Sequence, residues 1–146
     1  MRHSISYAAA GLIAIGLSTS AGAQGTGQSP DLKGRWVGKN EAIILDSVPH
    51  RPGEPASQQK HRMGSIEVTI TVEGQEGRRF WGTIASQHHK EPLIGIIGFD
   101  GKSVMMQDNE GGVDGTLADP DTMEVSYRHS TPQSAVLSVN RLKRQK

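Results

Sequence analysis

The segment at residues 66–73, IEVTITVE, alternates without a break. Ile66, Val68, Ile70 and Val72 fall on one face, and Glu67, Thr69, Thr71 and Glu73 fall on the other. A period of two belongs to a β-strand with one face in a core and one in water. The stretch TMEVSYR repeats it, with Met123, Val125 and Tyr127 on one side. No 3.6-residue apolar stripe competes with these strands. Further strands are expected over 35–40, 42–48, 79–87, 93–99, 103–107, 112–117 and 135–142. The turns are written between them as EGQEG, FDGK, DNEGG, ADPDT and STPQS. In FDGK, the two-residue Asp100-Gly101 spacing favours a type I′ hairpin.

Short connections make neighbouring strands antiparallel, and such a sheet must protect its edges. The chain has no cysteine, so covalent cross-links give no help. The expected fold is therefore all-β: a single antiparallel up-and-down β-barrel of about eight strands, closed on itself. An open sandwich is the rival. One connection is out of scale. Residues 48–64, VPHRPGEPASQQKHRMG, carry three prolines and no apolar pattern, and read as a long loop across one barrel mouth.

The first residues have a different logic. Arg2 precedes an apolar run over 7–17, and small residues follow, ending in Ala21-Gly22-Ala23. This is the pattern of a secretory signal peptide cut after Ala23. Its 11-residue run falls short of the roughly 20 needed to cross a bilayer. The domain plan is a signal peptide over 1–23, a flexible leader over 24–30 and the barrel over 31–146. A periplasmic or secreted location follows from it. Loss of Arg2 evens the charge at 15 basic and 15 acidic residues, from the 16 and 15 of the full chain. Such a balance offers no general attraction to nucleic acid or to anionic lipid, and no membrane insertion is expected.

Gly34-Arg35-Trp36 opens the first strand, and Arg141 lies in the last. A Gly-x-Trp with an arginine near the end of the final strand resembles the signature of calycin barrels. That group includes lipocalins, fatty-acid-binding proteins and avidins. The resemblance implies a structural role for Trp36 and Arg141, with the arginine stacked on the indole at the closed end. The chain departs from avidins in having only Trp36 and Trp81, and from typical lipocalins in its length and lack of cysteine. The body of the sequence is also similar to small exported proteins of Gram-negative bacteria with no assigned role.

The barrel reading points to a small apolar ligand, with Trp81, Phe80, Met105 and Tyr127 as ligand-binding candidates. Phe80 and Trp81 are adjacent, so one enters the core and the other faces outward. From Leu93 to Phe99 the chain is apolar on both faces: Leu93, Ile97 and Phe99 share one side, Ile94 and Ile96 the other. A loop, the tail or a second copy must cover the outer one, which makes a homodimer through this strand a candidate. A protein-interaction role, such as a periplasmic protease inhibitor acting through its leader, is the first alternative, and a small barrel enzyme is the second. No nucleophile elbow, phosphate loop or H-E-x-x-H helix is present, so no catalytic residue, reaction or cofactor is assigned. His88, His89 and Glu91, with His50 and His61, have no recognised metal-ligand spacing. DNEGGVDG departs from the calcium-loop pattern. No metal ligand is assigned, and these groups are expected to be solvated.

Overall fold

The computed structural model describes residues 29–46, 60–131 and 134–146. The signal peptide, most of the leader and residues 47–59 of the long connection lie outside the described residues. Nine strands follow in chain order: β1 (Gly34–Asp46), β2 (Lys60–Gly64), β3 (Glu67–Glu76), β4 (Arg79–Ala85), β5 (Lys90–Ile97), β6 (Ser103–Gln107), β7 (Gly111–Asp119), β8 (Thr122–Ser130) and β9 (Ser134–Gln145). Every pairing is antiparallel. The sheet runs β2-β1-β3-β4-β5-β6-β7-β8-β9, and β1 also pairs with β9 to close it. The expected all-β, closed antiparallel up-and-down barrel is the fold observed.

The strand count resolves to eight walls once register is followed. Gly34–Lys39 of β1 pairs with β3, and Ala42–Asp46 pairs with β2, in one continuous register. β2 and β3 are thus two halves of a single wall, interrupted at Ser65 and Ile66. Asn40 spans the interruption. Its N–H donates to Ile66 O at 3.0 Å, and its Oδ1 accepts the Ile66 N–H at 2.9 Å. Ser65 Oγ donates to the Asn40 carbonyl at 2.6 Å. A buried side-chain amide takes over where the backbone ladder fails.

Two local expectations are corrected here. The loop read over 48–64 ends early, because Lys60–Gly64 pairs with β1 as a strand. The Asp100-Gly101 turn is not type I′, which needs positive φ at both central residues. Only Gly101 has it, at 68°, and no non-glycine residue among those described does. β5 and β6 are joined instead through residues 98–102. There Asp100 Oδ1 accepts the N–H groups of Lys102 and Ser103 at 2.9 and 2.8 Å.

Period-two alternation decides what fills the barrel. One end is packed solid by Trp36, Val72, Phe80, Ile97, Met123 and Leu142, all buried. Leu32, just before β1, closes it from below. Its N–H donates to Gln75 Oε1 at 2.8 Å, and its carbonyl accepts the Trp36 Nε1–H at 2.9 Å. The outward face carries exposed Arg35, Lys39, Glu41, Arg141 and Lys143. A lipid-facing barrel would need an apolar band at those positions.

The Asn40→Ala variant is expected to lose about 0.5–1.5 kcal/mol, the net worth of a hydrogen bond to a part-buried backbone donor. Urea denaturation should show a lower midpoint at unchanged slope, and an unchanged midpoint would contradict the bridging role.

Candidate functional site

The other half of the barrel is hollow. Inward positions of β1, β2/β3, β4, β8 and β9 surround a cavity of about 460 Å³. Its floor is apolar: Ile70, Ile84, Val113 and Val125. Two asparagines share the inner wall, Asn40 and Asn140, directly paired across β1 and β9. Asn140 Nδ2–H donates to Gly38 O at 3.4 Å, which fixes the amide orientation. Its Oδ1 is buried and has no hydrogen-bond partner among the described residues.

The mouth is polar. Glu91 enters from β5, Asp108 and Glu110 from the β6–β7 turn, Tyr127 and His129 from β8, and Ser134 from β9. His129 is the hub. Its Nδ1 lies 3.3 Å from Glu110 Oε2 and 3.4 Å from the Tyr127 hydroxyl. Its Nε2 lies 3.4 Å from Ser134 Oγ. These separations exceed the 2.6–3.2 Å of a direct proton relay, and the network orients the imidazole at the rim. Asp108 is committed to its turn, where Oδ1 accepts the N–H groups of Glu110 and Gly111 at 2.9 and 2.5 Å. Glu91 is half-buried, and its carboxylate has no hydrogen bond or ion pair among the described residues.

Electrostatics at the mouth register on Tyr127. Burial pushes its phenol above the ordinary value, and the charges of Asp108, Glu110 and Glu91 push it the same way. Desolvation and neighbouring carboxylates both disfavour the phenolate.

Of the four ligand-binding candidates, Tyr127 alone lines this cavity. Phe80 is inward but buried in the solid end. Trp81 and Met105 are on the outer surface, 48% and 53% exposed, because the inward positions of their strands go to Phe80 and to Val104 and Met106. Trp81 stands opposite Ile94, and Met105 opposite Ile96, so the four form one apolar stripe across β4, β5 and β6. Phe99 leaves the side assigned to it. β5 ends at Ile97, and Phe99 sits in the following turn, 94% exposed, with the Arg78 guanidinium 4.2 Å from its ring centre.

The structural pair also changes. Trp36 is buried as expected, but the cation over its ring is Arg144, at 4.3 Å. Arg144 also donates to the carbonyls of Lys33, Asp31 and Pro120. Arg141 points outward, where its Nε donates to Glu124 Oε1 at 2.9 Å. His88 and His89 are exposed in the β4–β5 turn, His61 is exposed on β2, and His50 lies outside the described residues. Among the described residues no group of three histidine, aspartate or glutamate side chains could hold a metal ion.

No protein-family model matches the sequence, and no curated protein is similar to it. Among solved structures, the chain is similar to an S-type phycobiliprotein lyase, CPES, from Guillardia theta. The two are 12% identical over 79% of this chain and 89% of that one, with a TM-score of 0.34. A likeness at that level bears on neither ligand nor chemistry.

Tyr127 and Tyr7 are the two tyrosines of the chain, so a Tyr7→Phe variant, or a chain starting at Gln24, reports Tyr127 alone. Ultraviolet titration should place its midpoint above the ordinary value of about 10. Glu110→Gln should bring the midpoint part of the way back. A raised folded value means that the unfolded chain gives up this proton first. The stabilisation is therefore complete below pH of about 10 and is lost as pH climbs from there toward the folded value. A midpoint at or below the ordinary value would refute the described surroundings.

Proposed function

We propose that the chain is an exported binding protein that holds a small amphipathic molecule in the open half of its barrel. The observation that supports this reading is the cavity itself. Its volume lies within the roughly 300–1,000 Å³ typical of small-molecule sites, and an apolar floor lies beneath a ring of polar groups. An apolar body would bury against Ile70, Ile84, Val113 and Val125, leaving a polar head among Glu91, Tyr127 and His129. Export is carried by the signal-peptide pattern of residues 1–23.

Ser138 faces inward and lines the cavity, directly opposite Tyr127 across β8 and β9, so Ser138→Trp fills the space. The neutral fluorescent probe N-phenylnaphthylamine is expected to brighten on binding to the natural protein. It should lose affinity by about 100-fold or more in Ser138→Trp, while near-ultraviolet circular dichroism confirms a folded barrel. Equal binding by both proteins would place the probe elsewhere and defeat the reading.

A second reading, self-association, draws on the outer stripe of Trp81, Ile94, Ile96 and Met105. Ile94 and Ile96 are 63% and 42% exposed. The groove around them is edged by Arg79 and Glu76 at one side and by Arg128 and Asp114 at the other. Each edge carries both signs, as an isologous two-fold contact requires. Sedimentation should find a dimer at micromolar concentration that Ile94→Glu converts to monomer. A monomer in both cases would refute it. The leader through which a protease inhibitor would act lies outside the described residues, apart from its last two positions.

A further inference from the structure

Resting on that binding reading, we infer that the cavity selects a cationic amphiphile, a primary ammonium or similar donor-rich head on an apolar body. The argument starts from which polar groups inside the barrel lack a counterpart. Two acceptor-only groups lining the cavity do among the described residues, the Glu91 carboxylate and Asn140 Oδ1, while the buried Arg144 Nε at the closed end lies against Asp121. A buried or half-buried acceptor without a donor loses its hydration and gains nothing in return, so the ligand that completes this cavity must donate.

Charge points the same way. Glu91 comes from β5, and Asp108 and Glu110 come from the β6–β7 turn, and all three converge on Tyr127 and His129. Arg62 and His89 are the other basic groups lining the cavity, and both are exposed at its rim. An ammonium group entering the mouth meets the free Glu91 carboxylate, with Glu110 and Asp108 close by. A carboxylate ligand would meet three like charges in a partly desolvated space, where repulsion is poorly screened. A neutral alcohol would satisfy one acceptor and leave the field uncompensated. The apolar floor sets the other half of the specificity, because a small hydrophilic cation would leave Ile70, Ile84, Val113 and Val125 wet.

Three probes of matched length separate these possibilities: octylammonium, octanol and octanoate, each titrated calorimetrically into the full protein. The expected order is octylammonium at least about tenfold tighter than octanol, with octanoate weakest. Glu91→Gln should cut the ratio of octylammonium to octanol affinity by about tenfold, and added salt should cut it too. Glu110→Gln, at a more exposed position, should reduce the same ratio by less, and serves if Glu91→Gln misfolds. Equal affinity for octanol and octylammonium, or tighter octanoate, would overturn the cationic preference while leaving a cavity binder in place. A ratio unmoved by both substitutions would overturn it as well. Failure of all three probes to bind would remove the binding reading and this inference together.

Discussion

The pairing of β1 with β9 is the contact without which the molecule has no inside. It runs from the start of β1 to its end, Arg35 opposite Gln145 and Asp46 opposite Ser134. It converts two sheet edges into ladder. With no cysteine to cross-link the chain, removal of the edges protects the fold. Closure also demands close approach of backbones at the bends. At Gly38 a Cβ would lie 2.3 Å from the Arg141 carbonyl oxygen, and at Gly82 one would lie 1.8 Å from that of Thr71. No side chain fits at either place, which is a reason for strand glycines beyond flexibility. Once the cylinder is shut, alternation along every strand becomes a division between lumen and solvent.

That division explains what could be read in advance. IEVTITVE and TMEVSYR assign Val68, Ile70, Val72, Met123, Val125 and Tyr127 to the lumen correctly, since each apolar residue confirms its neighbour two places on. The same rule shows why Arg141 was the wrong cation. Leu142 is inward, so 141 faces out and 144 keeps inward parity, directly opposite Trp36 in the register. Val104 likewise announces Met106, not Met105, as the lumen methionine. Parity was available in both cases, and a family signature based on an arginine near the end of the last strand was too coarse to choose. β2 was less accessible. KHRMG has no apolar alternation, and its strand character comes from completing the register of β3 along β1. Of the mouth, Tyr127 alone was legible. Glu91, Glu110, Tyr127, His129 and Ser134 come from four segments, and only closure brings them together.

The two halves of the barrel are filled differently. Trp36 is held by Arg144 above its ring and by the Leu32 carbonyl at its nitrogen, so the closed end is fixed by packing, a cation over an aromatic face and a hydrogen bond. Ion pairs on the outer surface join the same task. Asp114 pairs with Arg128, Glu124 with Arg141, and Asp121 with Arg144 and Lys146. These pairs are a set of ties across β7, β8 and β9. Most are exposed, so each contributes little alone.

The hollow half follows from side-chain volume. Going up the lumen, the bulky set Trp36, Phe80, Met106, Met123 and Leu142 gives way to Ala42, Gly64, Ser86 and Ser138 at the cavity wall. Small residues at inward positions of several strands leave a space that larger apolar side chains would fill with a gain in stability. The same region tolerates an unpaired half-buried carboxylate at Glu91 and an unpaired amide oxygen at Asn140. Each departure costs stability, and neither assists closure, which β1 and β9 achieve through the backbone. A chain that packs one half of its lumen densely and leaves the other half open, ringed with acceptors, breaks the rules of core formation at one place. That place is where binding is expected, because the free energy withheld from folding is what a ligand with the missing donors and apolar surface would recover.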